Sequence, residues 1–82
     1  MIPITSPKDL GRALRRYRKD LGLSQTDVGE KLNIRQATIS NMESGSANVS
    51  LDTLFRVIAA LGLEIQLEPR NKYQVNEDKA LW

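Results

Sequence analysis

The sequence predicts a mainly α-helical bundle with one short C-terminal β-strand that pairs across a dimer. Three observations predict it. Apolar residues recur at helical spacing in four successive segments, each bounded by capping or turn residues. The spacing then switches to strict alternation over residues 63–68, the period of a strand. Finally, a chain of 82 residues without Cys buries only a modest core, and small domains of that kind gain stability by dimerising.

The first helix opens at Ser6-Pro7, where Ser caps and Pro is preorganised for the first turn. Asp9 suits the helix dipole there. Leu10, Leu14, Tyr17 and Leu21 form a half-buried stripe, and Gly22 supplies the stop. Ser24 followed by Asp27 is a capping box with Asp in place of Glu, and it starts the second helix. That helix ends at Lys31, Leu32 and Asn33. A third helix runs from Arg35 to about Glu43, and residues 44–48, SGSAN, read as a loop. Ser50 caps a fourth helix with Leu51, Leu54, Phe55, Ile58 and Leu61 on its apolar face, and Gly62 follows its end.

Beyond the helices, Leu63, Ile65 and Leu67 alternate with Glu64, Gln66 and Glu68 until Pro69. A lone strand leaves backbone groups unpaired. The simplest partner is the same strand of a second copy about a two-fold axis; the alternative is an extended tail packed on its own domain. The remaining residues, RNKYQVNEDKALW, are polar and lack periodicity, as in a flexible tail. Its Leu81-Trp82 end is either a terminal aromatic that touches nothing or an anchor for a pocket. The organisation expected is 1–62 as the helical domain, 63–69 as the dimerising strand, and 70–82 as a flexible tail.

Composition narrows the function. With no His and no Cys, the chain lacks the commonest general base, thiolate nucleophiles and the usual metal ligands. It carries no phosphate-binding Gly loop and no paired carboxylates on a recognisable scaffold, so no enzyme, cofactor or metal site is expected. No apolar run approaches membrane-spanning length, and MIPITSPKDL is no signal peptide, so the expected location is a reducing cytoplasm. The net charge of +2 is uneven: residues 1–56 hold nine Lys or Arg against six acidic residues, and residues 57–82 hold three against four. Arg12, Arg15, Arg16, Arg18 and Lys19 concentrate the excess and favour a polyanion on the N-terminal part.

Residues 25–42, QTDVGEKLNIRQATISNM, are the most informative stretch. Val28 and Leu32 share one face of the second helix, Ile34 follows the turn, and Ile39 and Met42 share one face of the third. Gly29 is small where the helices approach, and Asn33 tolerates the left-handed conformation of the turn. This is a helix-turn-helix pattern. Its second helix presents N-terminal residues to base edges in the major groove. Arg35, Gln36, Ala37, Thr38, Ser40 and Asn41 are the candidate base contacts, and Gln36 has the donor and acceptor that adenine N7 and N6 require. Ser24 and Gln25, at a helix N-terminus, are candidate phosphate contacts, as are Arg15, Arg16, Lys19, Ser44, Ser46 and Asn48. Arg12 instead has the option of pairing with an acidic side chain.

The run LSQTDVGEKLNIRQATISNMESG resembles the xenobiotic-response-element type of helix-turn-helix, the family of the phage Cro and lambda repressors. IRQATISNME, the segment LEIQL and the terminal Leu-Trp together resemble the HipB-type antitoxins of HipA/HipB toxin–antitoxin modules. The resemblance implies a lambda-repressor-like bundle, a homodimer with paired C-terminal strands, repression of its own operon at a near-palindromic operator, and a kinase-like HipA toxin as partner. It places base contacts on Arg35, Gln36, Ala37 and Ser40, with Arg35 standing where the family carries Lys. It places the toxin-binding anchor on Trp82, next to Leu81. The alternative function is a stand-alone or phage-type regulator with no toxin, for which a terminal Trp on a flexible arm has no purpose.

Overall fold

The computed structural model describes residues 3–46 and 48–70. Four helices follow one another: α1, Pro7–Asp20; α2, Gln25–Leu32; α3, Gln36–Ser44; α4, Leu51–Ala60. Three open on the serines expected from sequence. The Ser6, Ser24 and Ser50 hydroxyls accept from the backbone N–H of Asp9, Asp27 and Thr53, satisfying donors that a helix start leaves without partners. At α2 the Asp27 carboxylate also accepts from the Ser24 N–H at 2.8 Å, which completes the capping box. Arg35 is the N-cap of α3 rather than its first residue, and Ser44 is its last residue rather than the start of the loop.

The core is formed by Leu14, Val28, Ile39, Met42, Val57, Ile58 and Leu61, with Leu10, Leu23, Leu32, Ile34, Val49, Leu54 and Leu63 packed against it. Ile39 of α3 is 1% exposed, so the third helix is seated at the centre of the bundle. The seat is close. A Cβ on Gly11 of α1 would collide with the Met42 and Glu43 carbonyl oxygens, and one on Gly45 would lie 2.8 Å from the Lys8 Cα. Backbone therefore meets backbone twice where α1 crosses the C-terminal end of α3.

Two expected apolar faces are corrected. On α1 the buried residues are Gly11, Leu14 and Arg18, while Tyr17 and Leu21 stand outside. An arginine enters the interior because it has a buried partner, and the helix is rotated accordingly. On α4 the inward face is Leu54, Val57 and Ile58, and Leu51 is 71% exposed with Phe55 also exposed. Val57 and Ile58 take the buried face of the helix, and Leu51 and Phe55 project away from the core.

Among the described residues there is no strand. Leu63 is half-buried on the core, but Ile65 and Leu67 are exposed, the latter at 93%. A ladder needs two strands, and one chain offers a single candidate. Among the described residues no helix is long and apolar enough to cross a membrane.

Candidate nucleic-acid interface

The α2–turn–α3 unit is built by local chemistry. Asn33 takes the left-handed conformation, φ 56° and ψ 46°, and ends α2. The next N–H, from Ile34, donates to the Gly29 carbonyl at 2.8 Å. Gly29 is required there, since a Cβ would sit 2.6 Å from the Ile34 carbonyl oxygen, well inside van der Waals contact. The chain can then reverse and start α3 across α2.

The base-reading candidates divide by exposure. Arg35, Gln36, Ala37 and Asn41 are exposed, whereas Thr38 and Ser40 are half-buried. Gln36, the first residue of α3, is not isolated. Its Nε2 donates to Gln25 Oε1 at 2.5 Å, and Gln25 Nε2 donates to Glu43 Oε1 at 3.1 Å. Gln25 therefore joins the starts of α2 and α3 and reaches the far end of α3.

Glu43 leads to the residue that sequence reasoning misplaced. Arg18, counted there in the basic excess that favours a polyanion, is 6% exposed. Its Nε donates to Glu43 Oε2 at 2.6 Å, its Nη2 to Glu43 Oε1 at 2.9 Å, and its Nη1 to the Leu23 carbonyl at 2.7 Å. Burial pushes the Glu43 carboxyl up, but hydrogen bonds from Arg18 and Gln25 and the nearby positive charges of Arg18 and Arg15 outweigh it, so Glu43 titrates below the ordinary carboxylate range. The available signal was spacing: Arg18 follows Gly11 and Leu14 at i+7 and i+4, on the inward face of α1.

The phosphate candidates surround this unit. Arg15, Arg16 and Lys19 are exposed on α1, and Arg15 lies on the side of α3, close enough to favour the Glu43 charge. Arg12 pairs with Asp9 at 3.9 Å, with its side chain 77% exposed, an arrangement that contributes little. Ser44 Oγ donates to the Asn41 carbonyl and lies 3.0 Å from Ser46 Oγ. Asn48 is exposed and left-handed at φ 78°. Ser24 is exposed, but Asp27 occupies its N–H, leaving the Ser24 O–H as its donor to a ligand. The Ser24 N–H also depresses the Asp27 carboxyl, so the start of α2 carries a negative charge of its own. Among the described residues no acidic cluster could hold a metal ion.

The helix-turn-helix family model matches residues 14–67. Antitoxin HipB of Escherichia coli O6:H1 is 39% identical over 64 residues, covering 78% of this chain and 68% of that protein. The chain belongs to the helix-turn-helix family of the HipB antitoxins. HipB of Escherichia coli K12 is 38% identical over 64 residues, covering 78% of this chain and 73% of that one. In three dimensions the chain is similar to HipB in its complex with an O4 20mer, at TM-score 0.79 and 34% identity over 87% of this chain and 100% of that one. The same score, identity and coverage hold for the HipA–HipB–O2–O3 complex. The HipB-type α2–α3 arrangement is thus present here. The anchor expected at Leu81 and Trp82 lies outside the described residues.

Proposed function

We propose that this protein is a sequence-specific, DNA-binding transcriptional repressor that serves as the antitoxin of a type II toxin–antitoxin module, acting in the cytoplasm on nucleoid DNA. The observation that carries the reading is the exposed start of α3, where Gln36 is held by Gln25 at the edge of a helix-turn-helix. Arg35, Gln36, Ala37, Thr38, Ser40 and Asn41 read bases, with Thr38 and Ser40 meeting the duplex only at closest approach. Arg15, Arg16, Lys19, Ser24, Gln25, Ser44, Ser46 and Asn48 meet phosphates and set the register.

The protein acts as a homodimer. Leu63, Ile65 and Leu67 form a strand that pairs with its two-fold mate, so residues 1–62 are the reading domain, 63–69 the dimerising strand, and 70–82 an arm. The exposed Ile65 and Leu67 support this reading, since pairing covers them. A dimer reads a near-palindrome whose half-sites are about one helical turn apart or a multiple of that. The arm engages a HipA-like kinase toxin through Leu81 and Trp82. The likeness to the HipA–HipB–O2–O3 complex supports that partner.

Deleting Leu81-Trp82 from the full chain tests the two ends separately. The expected result is unchanged operator affinity and weakened capture of the kinase-like protein that copurifies with the native chain. Loss of DNA binding with toxin affinity intact would overturn the assignment of the arm.

A further inference from the structure

The hydrogen bonds around Glu43 have a direction. Arg18 has only donors, and an ionised Glu43 has only acceptors. Gln25 must therefore present its NH2 to Glu43, which turns its carbonyl oxygen the other way. That oxygen accepts from the NH2 of Gln36. The sense of each amide follows from the carboxylate at the root of the chain.

We propose that Arg18 and Glu43 are positioning residues for base readout, acting through Gln25 to fix which way the Gln36 amide faces. The inference rests on the DNA-reading function proposed above. With one N–H of Gln36 committed to Gln25, its other N–H and its carbonyl oxygen remain for a base edge. Adenine offers the complementary pair, the N7 acceptor and the N6 donor. A Gln36 amide turned over would present its carbonyl oxygen to Gln25 Oε1, acceptor against acceptor. The relay thus excludes the orientation that would spoil adenine recognition before any DNA arrives.

The depressed titration of Glu43 agrees with a root that stays charged. Burial of the ion pair keeps water from competing at the root, where the Arg18 and Glu43 side chains are 8% and 6% exposed, while the Gln25–Gln36 bond lies at the surface where a base edge can reach it.

The test uses the full chain and the duplex it enriches from a randomised library. In Glu43→Gln the root can donate as well as accept, so the direction is lost. The expected result is a drop of about fivefold or more in preference for adenine at the position Gln36 reads. In a Gln36→Ala background the same Glu43→Gln change should cost no further discrimination, which a merely structural role for Glu43 would not produce. Gln25→Leu leaves the buried ion pair in place and serves if Glu43→Gln fails to fold; it should lower adenine preference equally. The Gln36 side-chain amide resonances, followed by NMR without DNA, should move in both variants. Unmoved resonances, or an adenine preference that survives both changes, would overturn the relay while the DNA reading stood. Failure of the wild-type chain to enrich any duplex would overturn the DNA reading itself, and the base-readout role with it.

Discussion

Arg18 and Glu43, 25 residues apart in the chain, meet in a two-pronged ion pair that ties the C-terminal half of α1 to the last turn of α3. A buried pair of this kind often contributes little net stability compared with apolar residues of similar size, but removing one partner leaves the other charged and without its counterion. Arg18→Met should therefore destabilise the fold by about 3 kcal/mol or more, as measured by denaturant unfolding. Adding Glu43→Leu should restore much of that loss, which unfolding of the double variant would reveal.

The same pair predicts an acid response. Glu43 titrates below its ordinary value near 4.5 when folded. Between the two values the unfolded chain binds a proton that the folded chain does not, so stability rises with pH in that window. The Glu43 contribution is fully present above the ordinary value and is lost as pH falls through the folded one. Unfolding free energies followed downward from about pH 6 should fall less steeply in Glu43→Gln than in the wild type. A residual slope should remain from Asp9 and Asp27, which are also depressed.

Gln36→Ala should weaken operator binding by about 1–3 kcal/mol and relax one base position. Titration against the enriched duplex and its single-base variants measures both effects. Loss of affinity spread equally over all sequences would instead mark Gln36 as a phosphate contact.

Gly11→Ala should destabilise the protein with no change in charge or polarity. The added methyl meets the Met42 carbonyl oxygen at 2.7 Å as well as that of Glu43, and backbone has little room to yield. Overpacking of this kind costs about 1–3 kcal/mol. For a domain of this size each kilocalorie lowers the melting temperature by about 4–8 °C, well within reach of a thermal melt.

Ile65→Lys should dissociate the homodimer, because it places a charge on the apolar side of the strand proposed to pair. Sedimentation at micromolar concentration reads the outcome. An intact dimer would count against strand pairing and leave the exposed Leu51 and Phe55 of α4 to carry the interface.

Much of this molecule was legible in its sequence, because the informative residues act locally. Ser6, Ser24 and Ser50 cap the helices that follow them, and Asn33 and Gly29 shape the turn from within a few residues. The candidate reading face was legible for the same reason, since it is what α3 leaves after Ile39 and Met42 are buried. Arg18 was not legible. Its burial depends on a carboxylate 25 residues away, and a cluster of five cations on one helix looks like surface. Tyr17 and Leu21 were misread with it, because the inward face set by Leu10 and Leu14 continues to Arg18 rather than to Tyr17. Leu51 and Phe55 failed differently: apolar spacing shows which residues share a face but not whether the same chain covers it.

The crossing of α1 over α3 at Gly11 and Gly45 separates two properties that could have been entangled. Excluded volume at that crossing sets the tilt of α3, and it does so at the end remote from Gln36. The side chains at 35, 36, 37 and 41 take no part in it. With those positions as the proposed base readers, new operator preferences arise by exchange there while the angle of approach to the groove is inherited unchanged. Sister regulators in one cell can thus diverge in target and keep a common frame.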